Sequence, residues 1–150
     1  MNPATSPELL EHVLPDVTSM EYILLGDLRD LLEEPFDDTT FKWLTAVVDA
    51  LLQTLPQEFS RQNDGGYLSE VVEEDPNWFR YVSRLAEERR VIFRRLCDVR
   101  QQLAASRDLE PMADRLRTEL KEWMFRITAL HRHERWLVQT AVNLDVGTGD

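Results

Sequence analysis

Three apolar stripes in this chain are each interrupted by polar side chains where a helical bundle should be driest. Stepping by threes and fours from Phe41 through Leu44, Val48, Leu51 and Leu55 arrives at Glu58 and Gln62. A second stripe, Trp78, Tyr81 or Val82 and Leu85, meets Arg89 before Ile92, Leu96, Val99 and Leu103 resume it. A third runs Leu116, Leu120, Trp123, Ile127 and Leu130, meets Glu134, and continues through Leu137 and Ala141. A buried polar group costs free energy unless it meets a partner or a metal. Glu58, Gln62, Glu88 and Glu134 could offer oxygens to a hard cation, and His131 lies three residues before Glu134. Arg89 opposes that chemistry, because a guanidinium stays protonated and has donors but no lone pair. The expected arrangement is therefore a metal-free layer in which Glu58 and Glu134 hold Arg89 and Gln62 completes the hydrogen bonds. Two alternatives stay open. Arg89 bends outward into solvent beside Glu88, or a cation is kept by Glu58, Glu88, His131 and Glu134.

No other cluster suggests catalysis or cofactor binding. The chain has no glycine-rich phosphate loop and no nucleophile placed with a base. His131 and His133 are two residues apart, so a helix cannot turn both rings to one face. Trp43, Trp78, Phe79, Trp123 and Trp136 recur at helical spacing and read as packing. Cys97 is the single cysteine, which excludes an internal disulfide and a cysteine-based zinc site. Beside Leu96, it reads as a small buried thiol.

The elements that must position these residues are helices. A chain of 150 residues, 43% hydrophobic and with only five glycines, is long enough for one domain with a real core. Its apolar residues recur at helical rather than alternating spacing, so the fold class is all-α. Ser6-Pro7 reads as a helix start, and Thr18 to Glu21 as a second start of capping-box type. Residues 7 to about 34 form one helical region kinked near Pro15, or two helices. The second helix runs from Asp38 or Thr39 to about Arg61, bent by Pro56 just before Glu58. Asn63-Asp-Gly-Gly66 breaks it, a short helical piece covers Tyr67 to Glu74, and Asp75-Pro76 opens a third helix that ends near Ala105. A fourth runs from about Pro111 to Val142, with residues 1–6 and 144–150 as loose termini. The short link near 107–110 makes the last two helices an antiparallel hairpin, so the whole reads as an up-down-up-down four-helix bundle with a short extra helix between helices 2 and 3. Equal heights in that hairpin place Arg89 opposite Leu130. The same construction in the first hairpin puts Glu58 level with residue 17.

Charge narrows the partners. The net charge of −11 argues against binding nucleic acid or an anionic membrane by electrostatics. It is unevenly distributed: residues 1–75 carry 17 acidic and 3 basic side chains, residues 76–150 carry 11 and 14. An acidic helix pair packing on a more basic one within the bundle explains this, and a contact between two copies is the alternative. With no stretch long enough to cross a bilayer and no signal-like start, a soluble, cytoplasmic protein is expected.

Several segments together resemble the hemerythrin-like, HHE cation-binding family. Pro56-Gln-Glu58-Phe59-Ser-Arg-Gln62-Asn-Asp-Gly65-Gly66-Tyr67 resembles the family's His-Phe-x-x-Glu-Glu-x-Gly-Gly-Tyr pattern, with Glu58 at the histidine and Gln62 at the ligand glutamate. Leu85-Ala-Glu-Glu88-Arg89-Arg-Val-Ile92 resembles a Leu-x-x-Glu-His-x-x-Ile run, with Arg89 at the histidine and Leu85 at its partner one turn earlier. Leu130-His-Arg-His-Glu134 resembles the closing His-x-x-x-Glu, with Leu130 at the histidine and Glu134 kept. His131 and His133 fall on other faces of that helix. The resemblance implies a four-helix bundle whose di-iron, oxygen-binding site survives only as vestigial positions: Glu58, Gln62, Leu85, Arg89, Leu130, Glu134 and, on the first helix, Val17 or Thr18. The expected function is non-enzymatic, a metal-free scaffold acting through another protein or through self-association. The alternative is a di-iron or other metal-binding bundle that carries or senses oxygen or a related ligand.

Overall fold

A computed structural model describes residues 15–63, 75–105 and 111–148 of the protein. Among these residues every regular element is a helix, with no strand. Helix α1 spans Pro15–Glu33 and α2 spans Asp38–Asn63; a 3-10 turn at Pro76–Trp78 leads into α3, Phe79–Ala105, and α4 spans Ala113–Thr148. Local sequence explains the starts. The Asp37 carboxylate accepts the Thr40 backbone N–H at 2.8 Å, capping α2. Asp75 does the same for the Asn77 N–H at 3.0 Å, with Pro76 at the first position of the turn. At the end of α1, Arg117 from α4 donates to the carbonyls of Leu32 and Glu34 at 3.0 and 3.2 Å while its guanidinium stacks on Phe36, 4.3 Å from the ring centre.

Each helix packs on two others, α1 on α2 and α4, and α3 on α2 and α4. Contacting residues run in opposite sequence directions across these pairs: Tyr81 with Trp136 and Ile92 with Trp123 between α3 and α4, Glu33 with Lys121 and Glu21 with His131 between α1 and α4. The core follows the predicted stripes. Leu44, Val48, Leu51 and Leu55 of α2, Ile92, Leu96 and Val99 of α3, and Leu116, Leu120, Trp123 and Ile127 of α4 are buried, joined by Leu24, Leu28 and Leu32 of α1. The buried Trp123 indole donates to the Ile92 carbonyl at 2.8 Å, so its one polar atom is satisfied. The acidic and basic halves of the chain also meet inside the bundle, through an Arg100–Asp49 ion pair and a Lys121–Glu33 contact at 3.4 Å.

Four expectations change. Helix α1 is already under way at Pro15, so Thr18 does not open it and Glu21 is no cap; its side chain is 2% exposed. Helix α2 continues past the exposed Pro56 and extends to Asn63, beyond the expected end near Arg61. Helix α4 runs on to Thr148 instead of ending near Val142, since adding a residue to an existing helix needs no new nucleus and one glycine costs only about 1 kcal/mol. Of the aromatics read as packing, Trp123 alone is fully buried; Trp43, Phe79 and Trp136 are 51–61% exposed. The Ser6-Pro7 start and the Tyr67–Glu74 helix lie outside the described residues.

Candidate functional site

Toward one end of the apolar core all four helices contribute a polar side chain to a single layer. Helix α1 brings Glu21, one turn before Leu24 and Leu28 on the same stripe; α2 brings Glu58, α3 Arg89, and α4 both His131 and Glu134. Glu21, Glu58, Arg89 and Glu134 are each under a tenth exposed. The Arg89 Nε–H donates to Glu134 Oε1 at 3.0 Å, and the guanidinium lies 5.7 Å from the centre of the Phe59 ring. His131 Nε2 is hydrogen-bonded to Glu21 Oε1. Its Nδ1 lies 3.6 Å from Glu134 Oε2 and 3.9 Å from Glu58 Oε1. The imidazole thus joins the carboxylates of three helices, and Arg89 closes the layer through Glu134.

Burial and proximity set the protonation. Glu58 is pushed up to about 9, first by burial and then by its hydrogen bond with Glu21 and the charges of Glu21 and Glu134. For Glu21, burial acts upward, but the hydrogen bonds with His131 and Glu58 and the imidazolium charge hold it below the usual range. Burial acts downward on His131, yet hydrogen bonds to Glu134 and Glu21 and the charges of Glu21 and Glu58 carry it up to about 10. At neutral pH these shifts leave Glu58 a carboxylic acid, Glu21 a carboxylate and His131 an imidazolium, and with the Arg89–Glu134 ion pair the formal charges of the layer cancel. The Oε2 atoms of Glu21 and Glu58 are buried without a conventional donor. Glu58 shares its retained proton with Glu21 through their side-chain hydrogen bond.

The structure buries Glu58, Arg89 and Glu134 and pairs Arg89 with Glu134 inside the bundle. It corrects other expectations. Glu58 turns toward His131 and Glu21. His131, placed by spacing on another face of α4, reaches the layer because that flank of α4 packs on α1. Glu88 stays at the rim, 43% exposed and 3.9 Å from Arg126. Leu85 and Leu130 are buried apolar residues, and His133 is exposed. The side chains of Val17, Thr18 and Gln62 lie outside the described residues. Cys97 is half-buried, with burial and the Asp98 charge pushing its thiol up and away from reactivity.

Glu21 was missed. The signal was available, since 21, 24, 28 and 32 form one helical stripe with a carboxylate at its end, the pattern that singled out Glu58 and Glu134.

This donor set does not fit a di-iron centre. Among the described residues it has one imidazole and a donor-only guanidinium bonded to Glu134, and Leu85 and Leu130 beside it offer no donor atom. Glu21, Glu58 and His131 do place one ligand atom each within 4.8 Å of the others, a geometry that suits a single cation. Compared with known proteins, the chain matches no family model, no curated protein and no solved structure.

Proposed function

We propose that this protein is a hemerythrin-like, up-down-up-down four-helix bundle that works without metal, as a non-enzymatic scaffold binding another protein or further copies of itself. The observation that supports this reading is the buried Arg89–Glu134 pair, a permanent positive charge at a residue that the resemblance assigns to a metal-binding histidine. With His131 as a second cation, the layer is neutral using only the chain's own groups. A buried set that is paired in this way persists, whereas any one member left alone costs several kcal/mol.

The cluster of Glu21, Glu58 and His131 favours a second reading, a single divalent cation held by these three. Charge bookkeeping weighs against it. A dication bound there displaces the protons of Glu58 and His131, groups pushed up to about 9 and about 10. Removing both at neutral pH opposes binding of the cation. The expected result is that freshly purified protein holds no stoichiometric iron, manganese or zinc and has no visible absorption band. One or two metal ions per chain by elemental analysis sinks the metal-free reading.

A further inference from the structure

The outward side of α4 carries a stripe the core does not use. Phe125, Arg132 and Trp136 lie seven and four residues apart, so they share one face, and all are exposed. Phe125 and Trp136 are 72% and 51% exposed. The Trp136 ring is braced at 6.4 Å by Trp78 and at 6.0 Å by Tyr81, so it is presented with little rotamer freedom left to lose. Arg132 makes no ion pair among the described residues, although the chain carries a net charge of −11. An aromatic anchor beside an unpaired arginine is the composition of a binding hot spot.

A matching stripe lies on α1. Ile23, Asp27 and Asp30 share an exposed face, with Ile23 57% exposed. Ile23 and Asp27 are four residues apart, and so are Arg132 and Trp136. When two such helices lie antiparallel, one register sets the Trp136 ring on Ile23 and the Arg132 guanidinium on Asp27, with Asp30 about one turn beyond. We infer that the protein self-associates through this contact, the outer face of α4 on one copy against the outer face of α1 on the next. The inference deepens the metal-free scaffold reading by naming its surface, and it rests on that reading.

Charge selects this occupant. Pairing α4 with α4 of a second copy brings two arginines into one small contact and leaves the acidic face of α1 unused. Repulsion between two acidic chains is screened beyond roughly 8 Å at physiological salt, so the local match decides. The two faces are different surfaces, so the contact either repeats head-to-tail or closes as a two-fold dimer in which the α4 face of each copy meets the α1 face of the other. Single helices meeting over about three turns bury less than the roughly 1,200 Å² typical of stable complexes, so the association is weak.

Sedimentation equilibrium of the full chain between about 10 µM and about 1 mM tests the inference. The average mass is expected to rise with concentration past one chain. Arg132→Glu and Asp27→Arg should each weaken association at least ten-fold while leaving the helical circular dichroism and melting unchanged, as both residues are exposed. Mixing the two variants in equal amounts should restore association, because each then meets its opposite charge. A parent that stays monomeric throughout overturns the inference, and so does association that survives Asp27→Arg, which points to an α4–α4 contact. Neither outcome touches the metal-free layer, whose own test is elemental analysis.

Discussion

Replacing Arg89 with alanine is expected to lower the stability of the fold by roughly 3–5 kcal/mol, the largest effect of any single substitution in the layer. The guanidinium is 2% exposed and bonded to Glu134, which is itself 7% exposed. Its loss leaves three carboxyl groups facing one imidazolium and opens a cavity beside Phe59. The damage should come mainly from the orphaned charge. Arg89→Met combined with Glu134→Leu is therefore expected to recover much of the loss, because it removes both partners and fills the space with apolar volume. Urea denaturation followed by circular dichroism measures both variants. An Arg89→Ala protein that unfolds at the parent's midpoint shows that the pair contributes nothing.

The second large effect is a stability that declines as pH rises, opposite to the behaviour of a protein held together by ionised carboxylates. Glu58 keeps its proton in the fold up to about 9, while the unfolded chain releases it near 4.5. His131 keeps its proton up to about 10 against 6.5. In both cases the native state binds more protons than the unfolded state, so stability is lost between 4.5 and about 9 for Glu58 and between 6.5 and about 10 for His131. Glu21 acts in the other sense. Its folded value is lowered, so its contribution is present above 4.5 and is lost as acid falls through that lowered value. The melting temperature is expected to fall by at least roughly 10 °C between about pH 6 and about pH 9. Glu58→Gln, which imitates the protonated carboxyl group, should remove much of that slope and be more stable than the parent at about pH 8. A melting temperature that holds level or climbs over this range contradicts the shared proton.

The layer was largely legible because helical periodicity reports what faces the core. A charged residue at the right phase, as at 58, 89 and 134, announces buried chemistry whatever its partners. Partner assignment was less legible, since it depends on side-chain reach. An imidazole a little off the core direction looks excluded on a single helix, yet His131 enters the layer because α1 covers that flank and offers Glu21. The first-helix height was placed one turn away, at Val17 or Thr18, because the hairpin construction treats helices as parallel rods turning at a point. Here α1 and α2 are joined through the 34–37 link, and Asp37 caps α2. Exposure of the aromatics was not legible from spacing, since Trp136 rests on Trp78 and Tyr81 and still stays 51% exposed.

The protonation state of His131 tests the central claim most directly, because a neutral, metal-free layer needs the imidazolium and a cation site needs the free base. Heteronuclear NMR of the ring nitrogens, followed from about pH 6 to about pH 10 with and without one equivalent of Zn²⁺, reads it. The expected result is a ring protonated on both nitrogens through at least pH 8 and unchanged by zinc. A ring that titrates near the ordinary 6.5, or that loses its proton when zinc is added at neutral pH, contradicts it.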